Sequence, residues 1–257
     1  MKNPSTIKLE ELSWPQIKSL IEEGWTKIIV PLGATEQHGP GLPQGVDTWH
    51  GEATALRAAL ALGQTLVSPA VPFGYSPEHT AFAGTISVRR ETLSFLLEDI
   101  AESLARGGFT FIYFWFGHGG DWAVARECLP PLRHRWPGCL VTYTEDVGIY
   151  VAETWDRLPL EEGVSPEISG SHAGEFEASM MAAIRPHLIK TDDLAVGDPR
   201  PLREILEPMM QNGIHTISAN GVLGDQRQAN AERGERYLDG LANWLVADIK
   251  RQASADE

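Results

Sequence analysis

The chain has 257 residues, 42% hydrophobic and 22% charged, which is ordinary for a globular protein and enough for one large α/β domain with a sizeable core. Its net charge of -14, from 21 basic and 35 acidic residues, argues against a nucleic-acid backbone or an anionic membrane surface as partner. Cys128 and Cys139 are too few for a disulfide framework and form no CxxC pair, and neither an apolar leader nor a membrane-length run is found, so a cytoplasmic protein is expected.

Glu10 to Glu23 reads as an opening helix, with Ser13 as N-cap, Pro15 in its first turn and Gly24 at its end. Lys27-Ile-Ile-Val30 is a short buried strand. The glycines and prolines of Pro31-Leu-Gly-Ala-Thr-Glu-Gln-His-Gly-Pro-Gly-Leu-Pro-Gln-Gly-Val-Asp47 then force the chain to turn and deliver polar groups at the strand's end. Glu36 and His38, two apart in an extended segment, leave one face, and Asp47 returns after a loop. Two carboxylates and an imidazole so placed suit Zn, Mn or Fe.

Trp49 to Leu62 has helical spacing and packs on the sheet, and Leu66 to Val71 is a second strand leading into the ordered loop Phe73-Gly-Tyr-Ser-Pro-Glu-His79. Arg90 to Arg106 is an amphipathic helix with Leu93, Leu96, Leu97, Ile100 and Leu104 on one side. The aromatic and apolar run Phe109 to Phe116 is a strand buried on both faces of a parallel sheet; it ends in Gly117-His-Gly-Gly-Asp121, before a helix expected to reach about Arg135. Strand, glycine-rich turn with one His, and helix place His118 at the carboxyl edge of an open α/β sheet. These glycines are not a nucleotide fingerprint, since GxGxxG from Gly117 meets Trp122 and no Walker lysine follows. Cys139 to Thr144 is a further strand, Glu145 to Ser171 a long loop or lid with some helix, Lys190 to Pro208 irregular, and the C-terminus a long helix.

The run PLGATEQHGPGLPQGVD resembles the signature of the creatininase (creatinine amidohydrolase) family, and the likeness recurs in Gly74-Tyr-Ser-Pro-Glu-His79, Ala83-Gly-Thr-Ile-Ser87, Gly117-His-Gly-Gly120, His172-Ala-Gly-Glu-Phe-Glu-Ala-Ser179 and Gly221-Val-Leu-Gly-Asp225. It extends from about residue 10 to about residue 250 and implies a single three-layer α/β/α domain over residues 1–257 with a mostly parallel central sheet. It also implies a metal set of Glu36, His38, Asp47, His118 and Glu177, with His172 as the catalytic histidine. Two divalent ions would be held, Glu36, Asp47 and His118 on one and His38, Asp47 and Glu177 on the other, with Asp47 as the bridge. Ser76, Glu78, His79, Gly119 and Gly120 are expected to bind substrate. His50, His134, His187 and His215 match no family position and are expected to pack in the core or at the surface.

The reaction implied is hydrolysis of a small molecule's non-peptide C-N bond, in a cyclic amide or formamide, by hydroxide held on the ions, with His172 moving the proton. The alternative is the same centre opening a cyclic keto-sugar (inosose) at a C-C bond or cleaving a small peptide. No HExxH or GxSxG motif supports another hydrolase class. A homo-oligomer, a hexamer foremost, is also implied by the resemblance. The chain departs from it at Phe116 and Asp121, where asparagines are usual, and at Ala178, where threonine is. His118-Gly-Gly120 stands where creatininase proper reads His-Tyr-Glu, and Ile168 to Ser171 lack its Trp-Asp pair, so creatinine itself is not the expected substrate.

Overall fold

The computed structural model describes residues 4–256. Four strands, β1 (Lys27–Leu32), β2 (Thr65–Val67), β3 (Phe111–Phe116) and β4 (Leu140–Tyr143), form one wholly parallel sheet in the order β2-β1-β3-β4. β1 pairs with β3 over its whole length, Lys27 opposite Phe111 and Leu32 opposite Phe116, so both strands end at one level. Every residue of β3 and all but Lys27 of β1 are buried, which is why they read as continuous apolar runs without alternation. Each large side chain so enclosed contributes roughly 1.5–3 kcal/mol.

Among the described residues the ten α-helices are α1 (Trp14–Glu22), α2 (Val46–Leu62), α3 (Arg90–Arg106), α4 (Asp121–Cys128), α5 (Val147–Val151), α6 (Arg157–Glu161), α7 (Pro166–Ser169), α8 (Glu175–Ile184), α9 (Leu202–Asn212) and α10 (Ala231–Ser254). α2 packs on β1 and β2 and is backed by α8 and α10. Parallel strands need right-handed crossovers, so α2 runs to one side of β1 while α3 and α4, returning and continuing to the other side, cover the opposite face. The result is the expected three-layer α/β/α arrangement.

Several boundaries differ from the sequence reading. α1 is shorter than expected: a separate 3-10 turn, Leu9–Glu11, precedes it, and the Ser13 N–H donates to Gln16 Oε1 at 2.9 Å to cap it. β2 stops at Val67 because Pro69 has no N–H for the ladder, although Ser68 and Val71 still donate to Ile29 and Pro31. α4 ends at Cys128, not near Arg135, since Pro130 and Pro131 turn the chain into a 3-10 helix. The stretch from 190 to 208, read as irregular, contains most of α9, which carries Pro208 inside it and buries Ile205 and Met209.

The segment from 145 to 171 is no free lid. It forms α5, a π-helical turn (Ala152–Asp156), α6 and α7, and it is nailed down by Tyr150, whose ring meets Trp115, Trp122 and Trp244 at centroid distances of 5.5, 5.1 and 4.9 Å. Burying that ring against three others outweighs the freedom of a loop. Among the described residues no helix is long and apolar enough to cross a membrane.

Candidate metal centre

β1 leads into α2 and thence to β2 on one side, whereas β3 lies on the other, so the gap beyond the ends of β1 and β3 is the switch point of the sheet. Glu36 and His38 follow β1, and His118 follows β3. Asp47 is not on a loop: α2 starts at Val46, three residues earlier than expected, and carries Asp47 in its first turn, where the helix dipole favours a carboxylate. That turn is wedged between the two strand ends. A side chain at Gly33 would collide with the Thr48 and Asp47 backbone, and one at Gly117 with the Asp47 carbonyl.

His172 and Glu177 arrive together from α8 and the turn before it. Ala173 adopts φ 55°, a left-handed conformation uncommon for a residue with a Cβ, and its N–H donates to the Glu177 carboxylate. The tight turn thereby points both side chains at the switch point. Leu223 clamps it, donating to the His172 carbonyl at 2.9 Å and accepting from Ser171.

His118 Nε2 donates to the Tyr75 carbonyl at 3.0 Å, which turns Nδ1 towards Glu36 Oε2 at 3.4 Å and Asp47 Oδ2 at 3.5 Å. Those two oxygens are buried and have no hydrogen-bond partner among the described residues. On the other side His38 Nδ1 donates to the Glu36 carbonyl at 3.1 Å, and its Nε2 faces Asp47 Oδ1 at 3.0 Å and Glu177 Oε1 at 3.5 Å. Asp47 therefore turns one oxygen to each side.

Electrostatics state the same need. Burial by itself would raise the Glu36 carboxyl, yet His118 and His79 hold it down to about 2. Burial presses His38 and His118 down, but Asp47 and Glu177 beside the first, and Glu36 beside the second, raise both well above the usual imidazole range. Positive charge at these points offsets three buried carboxylates. The donor set of carboxylate and imidazole, with ligand atoms of Glu36, Asp47 and His118 within 4.8 Å of one another and His38 Nε2 within 3.5 Å of both Asp47 and Glu177, fits a pair of divalent ions.

Around this cluster, Gln37 orders two further histidines. Its amide nitrogen lies 3.0 Å from His79 Nδ1 and 3.1 Å from the Gly221 carbonyl, and its oxygen accepts from Gly39. His172 Nε2 sits 2.8 Å from the Gln37 carbonyl, a bond that assigns the proton to Nε2 and turns Nδ1 towards Glu36 Oε1, 3.7 Å away. His79 Nε2 lies 3.4 Å from the same Glu36 oxygen.

Residues expected to bind substrate are mostly inside. Ser76, Glu78 and His79 are buried; Ser76 Oγ is 3.2 Å from His118 Nε2, and Glu78 Oε1 is 3.8 Å from His79. The two glycines after His118, also expected to bind substrate, differ in the room they leave. A Cβ at Gly119 meets nothing within 4 Å, whereas one at Gly120 would strike the His118 ring and the Tyr75 carbonyl. Of the histidines assigned to packing, His50 belongs beside the cluster, with a donor atom within 4.8 Å of those of Asp47 and Glu177. The signal for it was the three-residue spacing from Asp47, legible only once both lie on one helix.

Asp121, in place of the usual asparagine, accepts the Tyr75 N–H through Oδ1 at 2.8 Å, and its buried Oδ2 has no partner among the described residues. Burial pushes its carboxyl up to about 6 against the pull of His118. A carboxyl that holds its proton more tightly folded than unfolded stabilises fully below about pH 4, and that contribution is lost as pH rises through about 6. In metal-free protein Asp121→Asn, which keeps an oxygen for Tyr75, is therefore expected to gain on the order of 2 kcal/mol at pH 8 and little at pH 4. Thermal melts in chelator at both pH values check this, and an equal gain at both would assign the effect to packing.

A parallel α/β sheet whose switch point gathers three buried carboxylates and several histidines defines a metal-centre enzyme. Residues 10–249 match the family model described as creatininase, creatinine amidohydrolase, and the chain belongs to that family of metal hydrolases. It is 34% identical, over 91% of its length and 88% of the relative's, to the mycofactocin precursor peptide peptidase of Mycobacterium ulcerans. To the 3-dehydro-scyllo-inosose hydrolase of Thermotoga maritima it is 26% identical over 99% of this chain and 87% of that one. A solved mutant creatininase of Zn-Zn type superposes with a TM-score of 0.76 at 24% identity, covering 97% of this chain and 99% of the other.

Proposed function

We propose that this protein is a peptidase that uses two divalent ions to hydrolyse a C-N bond in a small peptide. The observation that carries this reading is the 34% identity, across nine-tenths of the chain, to a peptidase of a precursor peptide. It shifts the balance from the non-peptide amide expected at first to the peptide named as the alternative. The open position at Gly119, beside His118, supports it, because a peptide carries chain on both sides of its scissile carbonyl.

Glu36, Asp47 and His118 would hold one ion and His38, Asp47 and Glu177 the other. When bound, the ions supply Lewis acidity towards water and towards a carbonyl oxygen. The buried carboxylates hold their charge in place: burial pushes the Asp47 carboxyl up, but His38 and His118 hold it well below the usual range, ionised between the two sides. His172 does the proton work. With Nε2 committed to the Gln37 carbonyl, Nδ1 is the free base; burial and His38 lower its pKa, so it is neutral and can accept a proton from the attacking water. It then returns that proton to the leaving amine nitrogen, so that water has been added across the C-N bond.

The test is mass-spectrometric product analysis of metal-loaded protein with a mixed peptide panel, alongside creatinine, formamide-bearing pyrimidines and a cyclic keto-sugar. Chelator-sensitive peptide cleavage is expected, with creatinine below about 10⁴ M⁻¹s⁻¹ in kcat/KM. Turnover of a cyclic amide or the keto-sugar above that value, with every peptide left intact, would overturn the peptide assignment.

A further inference from the structure

His50 lies one turn beyond Asp47 on α2 and is 1% exposed. Among the described residues neither of its ring nitrogens has a partner in hydrogen-bond geometry, and it is the only buried side chain there with two such atoms. The Gly117 backbone lies against the ring and raises its pKa against the larger downward push of burial, but in a geometry that pairs neither nitrogen. Leaving a buried polar atom unpaired is destabilising, so a fold that does it twice in one ring is asking for a partner. An apolar side chain of similar size would fill the space without that penalty.

The ring is aimed at one half of the cluster. Nε2 stands 3.9 Å from Asp47 Oδ1, the oxygen that faces His38, and not the one that faces His118. Asp47, His50 and Glu177 offer donor atoms within 4.8 Å of one another. Donors bonded at about 2.0–2.2 Å to one tetrahedral ion stand about 3.3–3.6 Å apart, so the 3.9 Å separation from Asp47 has only a few tenths of an ångström to close around an ion.

We propose that His50 is a fourth protein donor to the divalent ion on the side of His38, Asp47 and Glu177. The inference rests on reading the cluster as a two-ion centre. It makes the two positions unlike: two imidazoles with two carboxylates on one, a single imidazole with two carboxylates on the other. The nitrogen-rich position suits zinc, and the oxygen-rich one admits manganese more readily.

Cobalt(II) titration of the full chain, read by visible absorption and by competition with a chelator, tests it on the wild type and on His50→Leu, with thermal melts in the presence and absence of metal. In the wild type two equivalents bind. In His50→Leu one equivalent keeps its affinity, the other weakens by at least about 10-fold, and the absorption bands of that ion change. The metal-free melting temperature stays level or rises, because leucine removes two unpaired buried atoms, while the rise on adding metal shrinks. Two equivalents with wild-type affinity and bands would overturn the proposal. A wild type that binds fewer than two would overturn the two-ion centre itself, and this inference with it. If His50→Leu does not fold, His50→Ala is read by the same titration, with the same outcomes deciding.

Discussion

Asp47→Ala is expected to abolish hydrolysis, by at least about 10³-fold in kcat/KM, and to lower occupancy at both metal positions together. The reason is the division of its oxygens, Oδ1 facing His38 at 3.0 Å and Oδ2 facing His118 at 3.5 Å, which makes it the one residue shared by both donor groups. Removing it also breaks its buried pairing with His38 and His118, which against burial hold its carboxyl well below the usual range, so some loss of metal-free stability is expected beside the loss of the site. Elemental analysis and melts with and without metal separate the cases. A variant that still carries two ions per chain would show that Asp47 does not bridge.

His172→Ala is expected to keep both ions while kcat falls by about 100-fold or more. Its Nε2 is committed to the Gln37 carbonyl and its Nδ1 lies 3.7 Å from Glu36 Oε1, which suits a group that exchanges protons at the edge of the cluster. The same ring has a donor atom within 4.8 Å of those of His38 and Glu177, so metal content is the deciding measurement. Loss of an ion along with activity would place His172 among the ligands.

The motif around Glu36, His38 and Asp47 is contiguous, and each donor could be read from its neighbours. His118 followed from a strand, a glycine turn and a helix, and β3 from six apolar residues in a row. Boundaries misled most in two places. Placing Asp47 on a loop with the helix starting at Trp49 hid that Asp47 and His50 stand one turn apart on a common face, since residues three apart are neighbours only on a helix. Pro208 and its surroundings looked irregular, although tertiary burial of Ile205 and Met209 sustains α9 around it.

By itself the sequence determined the parallel α/β class and the family, and it offered candidate acid and imidazole groups without His50, because apolar periodicity and contiguous motifs are local properties. The tertiary structure alone decided which of those groups meet. It alone showed that Gly119 opens space where Gly120 closes it, that Ser76, Glu78 and His79 stand against the cluster's own donors, that residues 145–171 are packed around Tyr150, and that His50 is left with two unpaired nitrogens. Those are relations between segments up to a hundred or more residues apart, set by how closely helices approach the strand ends. No local pattern encodes that distance.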